Sequence, residues 1–163
     1  LISTFKFTSV NSKEDKIENI RSGARFKYRD NLAGFAITYP DSLKVYTYRN
    51  EFNIYTQMQE KMLFFCENDI KDKTGDNYFR CPNGGIMIWV NGDGWGGGCD
   101  PQDHEIIRML GYDIGYCSYD NGFGELYPIN EISNNQYLIQ GSFSKTFTKD
   151  EAIEILKSFE ILK

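Results

Sequence analysis

Gly34-Phe35-Ala36-Ile37-Thr38-Tyr39-Pro40-Asp41 is the stretch from which the fold is read. Phe35, Ile37 and Tyr39 alternate with small or polar residues. That period of two predicts a strand with one face in the core. Pro40, which lacks a backbone N–H, and the turn-former Asp41 end it. Outward from there, strands dominate. Residues 45–48 and 52–56 form two strands, with Arg49-Asn50-Glu51 as the turn. Residues 62–65 are a short apolar run before Cys66, and 67–77 are polar and loop-like. Ile86 to Val90 is five consecutive large apolar residues introduced by Asn83-Gly84-Gly85, the pattern of a buried strand. Residues 116–119, carrying Cys117, and 137–144 are further strands, and 123–129 is irregular. Residues 1–10 alternate loosely around Phe5 and Phe7, as a first strand or an arm.

Three helices punctuate this pattern. Residues 12–23 have Ser12 as cap, Asp15 three positions on, Gly23 as stop, and Ile17 and Ile20 as an apolar stripe. Residues 100–111 have Asp100 as N-cap, Pro101 at the first helical position, Asp103 at the capping-box position and Gly111 as stop. Ile106, Ile107 and Leu110 face the core there, and His104, Glu105 and Arg108 lie outside. The last helix starts at Thr148 with Glu151 as capping-box partner. Ala152, Ile155, Leu156 and Phe159 make its apolar face. Helices at start, middle and end of a strand-rich chain predict an α+β sandwich with a twisted, mostly antiparallel sheet. No repeat or linker divides residues 1–163, so they form one domain.

Two stretches resemble the PsbP-like superfamily: residues 34–41 and the closing Ile155-Leu156-Lys157-Ser158-Phe159-Glu160-Ile161. The first looks like that fold's phenylalanine, strand and Tyr-Pro entry, the second like its closing helix and Ser-Phe signature. The resemblance implies an α/β/α sandwich around a twisted antiparallel sheet. It also implies a lean toward exported, often lipid-anchored, non-enzymatic binding proteins. It covers the two ends of the chain, and no functional residue carries over. The cysteines and the glycine-rich loop depart from the family's usual pattern.

The balance is acidic, with 18 Lys and Arg against 23 Asp and Glu, net −5. That argues against nucleic acid, whose binding rests on neutralising phosphates, and against an anionic membrane surface. No stretch approaches the roughly 20 apolar residues of a membrane-spanning helix. The chain starts at Leu1, which fits a mature or trimmed ectodomain whose signal or lipid or membrane anchor has been removed. Membrane association is then expected only through that anchor.

Cys66, Cys81, Cys99 and Cys117 are spaced too widely for a CxxC redox pair or a zinc knuckle. Their even number points to disulfides in an oxidising compartment. Three connectivities are open. Cys66–Cys81 and Cys99–Cys117 are favoured, because each closes one local excursion.

Residues 92–99, Gly-Asp-Gly-Trp-Gly-Gly-Gly-Cys, are the strongest functional candidate. Glycines permit close backbone approach to a ligand. The loop lacks the lysine of a nucleotide-binding loop, and its carboxylates repel phosphate. A hard cation fits better: calcium held by loop carbonyls with Asp93, Asp100 and Asp103. Against that, capping already accounts for Asp100 and Asp103. Trp95, flanked by Gly94 and Gly96, either stacks on a sugar or anchors a protein partner, or folds back over the core. His104 is the only histidine, so any nucleophilic triad would need it, and no Gly-x-Ser-x-Gly elbow is present.

Three functions follow. The first is an extracytoplasmic, non-enzymatic binding module that meets a protein or glycan partner at the cell surface through Trp95. The second is a subunit of a surface assembly that donates residues 1–10 as a strand. The third is a metal-dependent or carboxylate-based hydrolase.

Overall fold

The computed structural model describes residues 16–18, 24–54, 57–67, 81–92, 105–109, 112–118, 122–128 and 137–162. Among these residues the chain forms eleven strands and one helix. The smaller sheet holds β1 (Lys16–Glu18), β2 (Arg25–Asp30), β3 (Phe35–Pro40) and β11 (Glu160–Ile161), in the order β1-β2-β3-β11. The larger holds β4 (Lys44–Asn53), β5 (Met58–Cys66), β6 (Gly85–Val90), β7 (Glu105–Met109), β8 (Tyr112–Ser118), β9 (Gly124–Pro128) and β10 (Tyr137–Phe143). Its order is β4-β5-β6-β10-β9-β8-β7. Every pairing between neighbours is antiparallel.

The alternation in β3 works as its sequence requires. Ile37 and Tyr39 enter a core shared with Tyr28 of β2, and Phe35 is fully buried beside them. Leu63 and Phe65 of β5, Ile86, Ile88 and Val90 of β6, and Tyr137 and Ile139 of β10 supply the opposite wall. The Phe65 ring lies 5.9 Å from that of Tyr28 and 5.1 Å from that of Tyr39, so the two sheets pack face to face. Each such side chain contributes about 1.5–3 kcal/mol on burial. The helix α1 (Lys149–Lys157) adds Ala152, Ile155 and Leu156. Phe159, just past it, stacks on Phe35 at 5.5 Å. The Ser158 hydroxyl accepts from the Thr38 N–H and lies within donating distance of the Thr38 carbonyl, fastening the end of α1 to β3. The two stretches that carry the PsbP-like resemblance thus touch each other.

The α/β/α sandwich is not what forms. The architecture is two antiparallel sheets with one short helix, and no helical layer covers either sheet among the described residues. The helix expected over 12–23 gives way to strand at Lys16–Glu18, paired with β2. The body of the helix expected over 100–111 is strand β7, paired with β8. Capping favours a helix by about 1 kcal/mol, but the ladder to β8 satisfies backbone groups along five residues, and β-branched Ile106 and Ile107 suit it. Ile106 is 63% exposed, so it does not face the core. Arg49-Asn50-Glu51 is no turn: β4 runs through it, with an irregularity between Thr47 and Arg49. Residues 124–128, expected to be irregular, form β9 between β8 and β10, with Leu126 wholly buried. Strand β2 falls where no element was expected.

The large sheet is two meanders, β4–β5–β6 and β7–β8–β9–β10, joined where β10 pairs with β6. Successive antiparallel pairings leave β6 and β7 parallel, four strand spacings or about 19 Å apart. Residues 93–104 make that connection.

Candidate functional site

Trp95, Gly94, Gly96, Asp93, Asp100, Asp103, His104 and Cys99 lie outside the described residues, as do residues 1–10. The approach to the glycine-rich segment is described. Asn91 adopts a left-handed backbone (φ 53°), and its side-chain amide donates to the Gln59 carbonyl at 2.9 Å. Gly92 lies against the Trp89 indole so closely that a Cβ would come within 2.1 Å of it. Trp89 is itself held by a 2.7 Å hydrogen bond from Nε1 to Glu60. The segment therefore leaves the sheet from a fixed point. Among the described residues no group of three or more His, Cys, Asp or Glu is placed to hold a metal ion.

Cys66 and Cys81 are disulfide-bonded, as their spacing suggested. The bond lies over the start of β6. A side chain at Gly85, opposite Cys66, would run into the Cys81 sulfur and the Phe65 carbonyl. Cys117 is disulfide-bonded as well, and its partner lies outside the described residues.

The strongest surface feature among the described residues is one the sequence did not single out. β6 pairs with β5 only as far as Lys61, opposite Val90. β4 and β5 continue together through Glu51–Glu60, Phe52–Gln59 and Asn53–Met58. These pairs project past β6 by about 10 Å, at ~3.4 Å per residue. The arm ends in apolar side chains facing water: Phe52 is 60% exposed, Ile54 70% and Met58 53%. The β2–β3 turn, at the same end of the molecule, carries Leu32, 81% exposed.

Buried polar groups hold this end in place. Glu60, on the outer side of the arm, accepts from Asn53 Nδ2 at 2.9 Å and from Trp89 Nε1, bracing the arm against β6. Lys61, at the root of the arm, pairs with Asp30 at 2.6 Å, both buried. The other Asp30 oxygen accepts the N–H groups of Leu32 and Ala33, which shapes the turn. The Tyr137 hydroxyl donates to the Ala33 carbonyl at 2.5 Å. Burial, and then the Asp30 charge, raise the Tyr137 phenol above its ordinary pKa, and burial does the same at Tyr39. The ion pair thus ties the turn bearing Leu32 to the arm bearing Phe52 and Ile54.

Compared with known proteins, the chain matches no family model, no curated protein and no solved structure. No helix among the described residues is long and apolar enough to cross a membrane.

Proposed function

We propose that this protein is an extracytoplasmic interaction module with no catalytic role, which meets its partner end-on through the β2–β3 turn and the β4–β5 arm. One observation carries the proposal: four large apolar side chains, Leu32, Phe52, Ile54 and Met58, face water at one braced end. Apolar exposure clustered in this way marks interaction surfaces. A surface held by buried hydrogen bonds loses little entropy on binding. The Cys66–Cys81 disulfide supports an oxidising compartment. Secretion, or attachment through a removed anchor, is part of the same proposal. So is a Cys99–Cys117 bond holding the glycine-rich segment around Trp95 as a second contact.

The test is photocrosslinking in the cell that makes the protein. A benzophenone amino acid at Ile54 is expected to give a discrete adduct. The same probe at exposed Asp41, at the other end of the β2–β3 hairpin, is expected to give none. Equal labelling from both positions overturns the proposal.

A further inference from the structure

We infer that the side chains of Asp30 and Lys61 close an amide bond, a covalent staple that the protein makes in itself between its two sheets. Asp30 ends β2 of the smaller sheet, and Lys61 lies in β5 of the larger one, 31 positions further along the chain. Lys61 Nζ stands 2.6 Å from Asp30 Oδ2, and the lysine and aspartate side chains are 8% and 1% exposed. The bond forms whether or not this end of the molecule binds a partner.

Three features equip this pair to react. The first is desolvation. Lys27–Glu160 and Lys157–Glu154 also join a lysine to a carboxylate, but their glutamates are 48% and 57% exposed, where water solvates the charge. At Asp30 and Lys61 burial strips water from both charges. Transfer of one proton from Nζ to Oδ2, which leaves an amine and an acid, then costs far less than it does in water. The second is the other oxygen. Oδ1 accepts the Leu32 and Ala33 N–H groups at 3.0 and 2.8 Å, the spacing at which backbone donors hold the negative oxygen of a tetrahedral adduct. The Tyr137 hydroxyl holds Ala33 in turn, through its carbonyl. The third is proximity. Groups fixed in contact react as if present at roughly 10⁵–10⁸ M. The Tyr28 ring, which lies 5.8 Å from Nζ and packs against Phe35 and Phe65, lines the site with apolar surface.

The step is a condensation. The ammonium gives one proton to Oδ2, and the freed lone pair of Nζ attacks Cγ. The carbonyl electrons move onto Oδ1, where the two N–H groups hold them. A second proton passes from nitrogen to the Oδ2 hydroxyl, the Cγ–Oδ2 bond breaks, and one water leaves. The carbonyl re-forms at Oδ1, which keeps both of its hydrogen bonds. No oxidant, reductant or cofactor is consumed. Expulsion of the hydroxyl makes the step slow, so a freshly folded chain holds the ion pair and the bond accumulates as the protein ages.

The experiment is mass spectrometry of the 163-residue chain, kept folded for a week at neutral pH and body temperature, then reduced and denatured. Most of the wild type is expected to weigh less than its sequence by one water. Trypsin does not cut after an acylated lysine, so it is expected to release residues 30–44 joined to residues 50–71. The same chain held in guanidinium chloride is expected to keep its full mass. So is folded Lys61→Arg, which retains the charge but not the nucleophilic amine. A folded wild type at its full mass overturns the inference. So does a water loss that maps elsewhere and leaves Asp30 and Lys61 unjoined, one that proceeds equally in guanidinium chloride, or one that survives in Lys61→Arg.

Discussion

At the scale of single residues, the decisive pair is Asp30 with Lys61. Both are buried, and Asp30 also orders the turn that follows it. Removing one partner of such a pair leaves an uncompensated charge and costs about 3–5 kcal/mol, whereas replacing both is close to neutral. Lys61→Met is therefore expected to lose that much in urea denaturation. Adding Asp30→Asn, which keeps the acceptor for Leu32 and Ala33, is expected to restore most of it. Tyr137 gives a second test. In the unfolded chain a tyrosine ionises near pH 10. In the folded protein Tyr39 and Tyr137 hold their protons to higher pH. The unfolded state releases its protons first, so this contribution is fully present below pH 10 and is lost as the pH rises past it. Denaturation midpoints between pH 8 and 11 are expected to fall, and to fall less steeply in Tyr137→Phe. That variant is also expected to lose about 1 kcal/mol at neutral pH with its bond to Ala33.

At the scale of elements, α1 is the piece the sequence states most completely. Thr148 and Glu151 make a reciprocal capping box, and Ala152, Ile155 and Leu156 are buried. Thr148→Ala is expected to cost about 1 kcal/mol in thermal denaturation. The neighbouring misreadings share one cause. Asp100, Pro101 and Gly111 punctuate a helix as clearly as Thr148 does, yet β7 forms between them, because the ladder that decides its state lies in β8. β9 is hidden for the same reason. Its core residue Leu126 stands among Gly124, Glu125 and Pro128, and only pairing on both edges makes a strand of it. In contrast, β3, β6 and β10 are legible because their burial repeats along the sequence. The arm was half visible. Phe52 and Ile54 read as strand residues, but Arg49-Asn50-Glu51 suggested a break that the offset in β4 absorbs. Its uncharged run was the available clue, since a strand that packs on one face keeps charges on the other.

At the scale of the whole molecule, Cys66–Cys81 closes the connection that leads into β6, a sequence separation of 15. A loop of that size stabilises by about 3 kcal/mol through the unfolded chain. Cys66→Ala with Cys81→Ala is expected to lose about that much in urea, with the fold retained, because the two-sheet core lies on the other side of β5 and β6. Non-reducing peptide mapping is expected to recover the Cys66–Cys81 pair, and Cys117 joined to Cys99.

The order of strands also bears on how the protein is made. β10 is the strand that joins the two meanders, and β11 with Phe159 completes the smaller sheet. Both come later in the chain than every strand they pair with. Until residues 137–161 emerge, Ile86 to Val90 present an open apolar edge, and open edges invite pairing with other chains. Pairings across such long sequence separations also form slowly. A nascent chain of this design gains from being kept unfolded until residues 137–161 are available to pair. A stop shortly before Tyr137 would yield an aggregate and not a smaller folded protein.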